Sequence, residues 1–79
     1  MTTPLIYICE DDPDLGKAIM SRLQDEGYRV TWFADPQDMD EQGNSEAPDL
    51  LLLDVQLPGE TGYSIAKRYF LTFPGLRVI

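Results

Sequence analysis

The sequence predicts an α/β fold built on a parallel sheet. Three observations point there. Two continuous apolar runs, Leu5–Cys9 and Leu50–Leu53, and two further strand-like segments, Tyr28–Phe33 and Leu76–Ile79, are spaced along the chain. Helix-start signals lie between them, at Asp12-Pro13, Asp35-Pro36 and Thr61-Gly62. The connections are short. The resulting order βαβαβαβ favours parallel strands with helices on both faces. A common arrangement of such units places the strands 2-1-3-4, with the first helix on one face and the next two on the other.

Each element has a local reason. Leu5-Ile6-Tyr7-Ile8-Cys9 is a continuous apolar run of strand length, which fits a strand buried on both faces. Asp12 is a favoured N-cap, and Pro13 suits the first helical position because its missing N–H has no partner there. Leu15, Ala18, Ile19, Arg22 and Leu23 recur at helical spacing and predict a mostly apolar stripe. Gly27 is placed to end that helix in the left-handed region. Tyr28–Phe33 reads as the second strand. Asp35-Pro36 repeats the cap signal and opens a short polar helix over Gln37–Glu41. Residues 43–48 read as a loop. Leu50–Leu53 is the third buried run, Pro58-Gly59 a turn, and Thr61 the N-cap of a helix from Gly62 to Thr72. Ile65 and Tyr69 would face inward, with Phe70 or Phe73. Pro74-Gly75 is a further turn before the fourth strand.

Composition narrows the function. The chain has 79 residues, one cysteine, no histidine and a formal net charge of −8. That length allows one domain. One cysteine forms no internal disulfide framework. The absence of histidine excludes Ser-His and Cys-His catalysis and most zinc sites. A strongly acidic chain repels phosphate backbones, so no nucleic-acid binding by this segment is expected. No apolar run approaches the roughly 20 residues of a membrane span. Met1-Thr2-Thr3-Pro4 lacks a basic leader region, so a cytoplasmic location is expected. All 14 acids fall within residues 1–60, while Lys67, Arg68 and Arg77 follow without any acid.

Two groups of acids end two apolar strands: Glu10, Asp11 and Asp12 after the first, Asp54 after the third. If those strands are neighbours, the carboxylates meet at the carboxyl edge of the sheet, where open α/β sheets bind ligands. Converging carboxylates repel, and a hard divalent cation relieves this; Mg²⁺ takes oxygen ligands and keeps several waters. Asp12 is read first as a cap, and Asp49, at the entrance to the third strand, as structural.

Cys9-Glu10-Asp11-Asp12-Pro13 and Leu50–Asp54 with Val55-Gln56-Leu57-Pro58-Gly59-Glu60-Thr61-Gly62 resemble the response-regulator receiver domain of two-component signalling. The resemblance runs the length of the chain but covers only the first part of that family's five β/α units. It implies a flavodoxin-like sheet, strand order 2-1-3-4, incomplete in the last strand and last two helices. Residues 1–79 would be the N-terminal part of a receiver domain, breaking off in the fourth strand. The resemblance further implies that Asp54 is the phosphoacceptor, receiving a phosphoryl group from a sensor histidine kinase or phosphotransfer protein. Asp11 and Asp54 would bind Mg²⁺ directly, the main-chain carbonyl of Gln56 would be a third ligand, and Glu10 would act through water. Pro58 and Gly62 would shape the adjoining loop. Thr61 stands where many members carry Asp or Asn, all competent caps.

The family also carries a Ser or Thr after the fourth strand and a Lys after the fifth. Both would contact the phosphoryl group; this chain reaches Ile79 before either, and Lys17 and Lys67 do not match, so the resemblance does not imply that these 79 residues are phosphorylated unaided. An incomplete cover of the sheet predicts a homo-oligomer or the remnant of a longer chain, with the fourth strand an exposed edge. Such a domain is a kinase substrate rather than an enzyme. The alternatives are a receiver-like interaction module that is never phosphorylated, and a haloacid-dehalogenase-like phosphatase. The second requires another acid two residues after Asp54, where Gln56 stands.

Overall fold

The computed structural model describes residues 3–42, 47–53, 56–57, 60–73 and 75–79. The elements in chain order are β1 (Leu5–Cys9), α1 (Pro13–Asp25), β2 (Arg29–Phe33), α2 (Pro36–Gln42), β3 (Leu50–Leu53), β4 (Gln56–Leu57), β5 (Glu60–Thr61), α3 (Gly62–Thr72) and β6 (Arg77–Val78). Four of these strands form one sheet in the order β2-β1-β3-β6, the predicted 2-1-3-4 arrangement. All its pairings are parallel, with Cys9 opposite Phe33 on one side and Leu53 on the other.

Central position explains why β1 is apolar throughout: all five of its residues are buried. Its odd-numbered side chains build the main core. Leu5, Tyr7 and Cys9 pack with Phe33, Met39 of α2, Leu51 of β3, and Ile65 and Tyr69 of α3. Tyr7 and Phe33 meet edge to face at 5.2 Å between ring centres, a favoured aromatic geometry. Met39 is the apolar anchor of the otherwise polar α2. The even-numbered face, with Ile6, Ile8 and Trp32, receives α1.

The caps form as their sequences dictate. The Asp12 carboxylate accepts from the N–H groups of Asp14 and Leu15 at 3.0 and 3.4 Å. Asp35 accepts from Asp38 N–H at 2.8 Å, and the Thr61 hydroxyl from Ser64 N–H at 3.2 Å. Gly27 has φ +95°, which is why a glycine follows α1. Asp49 is structural, accepting the Leu5 N–H at 2.8 Å where β1 enters the sheet.

Several expectations are corrected. Leu15, Ala18 and Arg22 are exposed; Gly16 is the buried position of α1, with Ile19, Met20 and Leu23 partly covered. The helix is thus rotated from its predicted stripe, because the indole of Trp32 lies where the Gly16 side chain would be. Leu50–Leu53 is buried on one face only: Leu51 is fully buried and the others are half-covered, since α1 lies chiefly over β2. Of the two alternatives offered by the sequence, Phe73 packs with Tyr69, while Phe70 is exposed. Tyr28 precedes β2 rather than joining it. The fourth strand of the sheet has two paired residues, although the Ile79 N–H still donates to the Leu51 carbonyl at 2.9 Å. The short antiparallel pair of β4 and β5, Gln56 opposite Thr61, had no sequence signal beyond the turn between them. That turn, Pro58-Gly59, lies outside the described residues, as do Pro74 and residues 43–46 of the predicted loop.

Candidate functional site

At the carboxyl edge of the sheet, β1 runs into the acidic segment Glu10-Asp11-Asp12. Glu10 follows β1, and its main-chain N–H donates to the Phe33 carbonyl at 3.1 Å. Its side chain turns back, with Oε1 accepting the Asp12 N–H at 3.2 Å, and the residue is 9% exposed. Asp11 is exposed. β3 leaves the sheet beside β1, with Leu53 the register partner of Cys9. Asp54 is the next residue in the sequence and lies outside the described residues, as does Val55. The main chain of Gln56 is held in β4 against Thr61, which also caps α3. Among the described residues, no group of three acidic, cysteine or histidine side chains is close enough to hold a metal ion.

Negative charge from the acidic segment after β1 and from α2 with its cap registers on a buried neighbour. The Cys9 thiol is pushed up to about 12, first by burial and then by the negative charges of Asp35, Asp40, Glu10 and Asp11. The thiolate is the reactive form, so at pH 8 roughly one folded molecule in ten thousand carries it. Cys9 is therefore expected to resist iodoacetamide at pH 8 and to react promptly after addition of denaturant. Rapid alkylation of the folded chain, read by mass, would contradict its burial.

Asp40 occupies a different position. Arg68 donates to its carboxylate at 2.5 Å and the Tyr69 hydroxyl donates to the same oxygen at 3.0 Å. The contact joins α2 to α3. Burial, followed by the bond to Asp40, drives the Tyr69 phenol well above its usual range.

Comparison with known proteins settles the family. The family model described as the response regulator receiver domain matches residues 6–79. The chain belongs to the response-regulator receiver family. An uncharacterized transcriptional regulatory protein, YbdJ of Bacillus subtilis, is 39% identical over 74 residues, covering 94% of this chain and 32% of that protein. The non-phosphorylated HemR receiver domain from Leptospira biflexa superposes with a TM-score of 0.87 at 30% identity, covering 96% of this chain and 61% of that one. The BeF3-activated receiver domain of DrrB, a Thermotoga maritima protein, gives 0.85 at 30% identity, covering 98% and 63%. This receiver chain thus spans about a third of the length of the curated relative.

The receiver fold carries two residues that the sequence reading passed over. Trp32 donates its indole N–H to the Glu10 carbonyl at 2.9 Å, and Gly16 leaves the space in which the ring lies. A glycine inside an otherwise regular helix was the available signal. Among the described residues, no helix is long and apolar enough to cross a membrane.

Proposed function

We propose that residues 1–79 are the N-terminal part of a receiver domain that accepts a phosphoryl group on Asp54 from the phosphohistidine of a sensor histidine kinase or phosphotransfer protein. One observation carries the reading: β1 and β3 are parallel neighbours with Cys9 opposite Leu53, so the chain segments that follow them leave the sheet at neighbouring positions. The family match adds to it.

A carboxylate oxygen of Asp54 attacks phosphorus, the P–N bond breaks, and its electron pair remains on the imidazole nitrogen. The product is an acyl phosphate. Such transfer depends on positioning and on neutralising charge more than on covalent help.

Asp11 and Asp54 would hold Mg²⁺ directly, with the Gln56 carbonyl as a third ligand and Glu10 acting through water. The donor chemistry fits, since every ligand is an oxygen. Asp11 is exposed, as direct ligation requires, whereas Glu10 is nearly buried and already accepts the Asp12 N–H, which suits an outer role. The relative solved in a BeF3-activated form agrees with a phosphoryl site of this type. When bound, the cation offsets the negative charge of the incoming phosphoryl oxygens.

A cytoplasmic location and a role as kinase substrate rather than turnover enzyme go with that partner. The exposed Phe70, Leu71 and Ile79 support association with further protein, either a second copy or the rest of a longer polypeptide.

Incubation with acetyl phosphate and MgCl2 tests the assignment. A gain of one phosphoryl group by intact mass is the result that supports the assignment. Asp54→Asn and chelation by EDTA are each expected to abolish the gain. A gain that persists in Asp54→Asn removes Asp54 as the acceptor. No gain in the native chain, despite Mg²⁺ binding, would favour a module that works through protein contacts alone.

A further inference from the structure

The acidic turn is held by a side chain from outside it. Trp32, the only tryptophan in the chain, stands opposite Ile8 in β2 and lays its indole over the start of α1. Its Nε1–H reaches the Glu10 carbonyl at 2.9 Å. The Glu10 N–H is bonded to the Phe33 carbonyl. Both main-chain polar groups of Glu10 are therefore tied to β2, one through the backbone and one through a side chain.

The Glu10 carbonyl and the Asp11 N–H share one planar peptide unit. A donor fixed on that carbonyl sets the plane from which Asp11 departs. The contact exists because residue 16 is glycine: a Cβ there would stand 2.2 Å from the indole nitrogen.

We propose that Trp32, seated on Gly16, is a positioning residue for the cation site, holding the Glu10–Asp11 peptide in the orientation that lets Asp11 ligate Mg²⁺. This rests on the Mg²⁺ reading above. Ligand groups must be held to within about 0.5 Å of productive geometry. The indole N–H suits the task. It is a donor only, carries no charge, and so neither competes with the cation nor repels it.

The test uses the 79-residue chain and Mg²⁺ alone. Calorimetric titration compares the native chain with one carrying benzothienylalanine at position 32, which keeps the ring shape and replaces N–H by sulfur. The analogue is expected to bind Mg²⁺ about five-fold more weakly, the ratio that corresponds to a net hydrogen bond of about 1 kcal/mol. Equal affinity in the two chains overturns the proposal and leaves the cation reading standing. A merely structural indole would lower the melting temperature without changing that affinity.

A second measurement needs no substitution. The single indole N–H resonance is expected to shift during the Mg²⁺ titration with the same midpoint as the calorimetry. A resonance that stays in place through saturation also overturns the proposal. Absence of any Mg²⁺ binding by the native chain overturns the proposal and the cation reading together.

Discussion

Replacing Leu51 by alanine is expected to cost about 2–5 kcal/mol of folding stability, the range for truncating a fully buried leucine. Leu51 is 0% exposed at the middle of β3, paired in register with Tyr7 of β1 and Val78 of β6. Its side chain belongs to the core shared with Ile65 and Tyr69 of α3. A domain of this length has a total stability of roughly 4–12 kcal/mol at the usual value per residue. One truncation therefore removes a large fraction of it. Urea unfolding followed by far-ultraviolet circular dichroism measures the loss. Leu71→Ala is the matched control: Leu71 is 79% exposed, and the change is expected to stay within about 0.5 kcal/mol. Equal midpoints for the two variants would show that β3 does not lie at the centre of the core.

Gly16→Ala is expected to destabilise the fold by about 1–3 kcal/mol, the usual cost of overpacking. The sign is the informative part. In an exposed helix interior the same change stabilises by roughly 0.5–1 kcal/mol, because alanine loses less backbone entropy. Here the new methyl group would meet Trp32 ring atoms at 2.2 to 2.7 Å. The indole is rigid, so the whole ring must move, and its bond to the Glu10 carbonyl breaks. Removing the obstacle tests the cause. In a Trp32→Val background, Gly16→Ala is expected to become neutral or stabilising, and the double-mutant cycle isolates the coupling. A stabilising Gly16→Ala in the native background would mean that the helix does not rest on Trp32.

Most of the architecture was legible because its signals are local. Asp12-Pro13 and Thr61-Gly62 mark helix starts through bonds that close within three residues. The run Leu5–Cys9 carries its central position in its own composition, since only a strand covered on both faces has no place for a polar residue. The alternation of elements then leaves few topologies, and the observed order β2-β1-β3-β6 is the common one. The acids of the candidate site were visible for the same reason: they stand directly after apolar runs.

What the sequence misled on depends on partners distant along the chain. Leu15 looked like a core residue by spacing but is 48% exposed, because the face that α1 buries is chosen by an aromatic ring from β2. Leu50 and Leu52 are as apolar as Leu51, yet only Leu51 lies where α3 and β1 both reach it.

The sequence alone determined where β1, α1, β3 and α3 begin and which strands are apolar enough for the interior. Tertiary structure decided the rotation of α1 about its axis, the tethering of the Glu10 main chain by Trp32, and the joining of α2 to α3 through Asp40. Caps and strand runs are set by neighbours along the chain. A helix's rotation and a turn's orientation are settled by whichever side chain fills the space opposite, and that is known only once the strands are side by side.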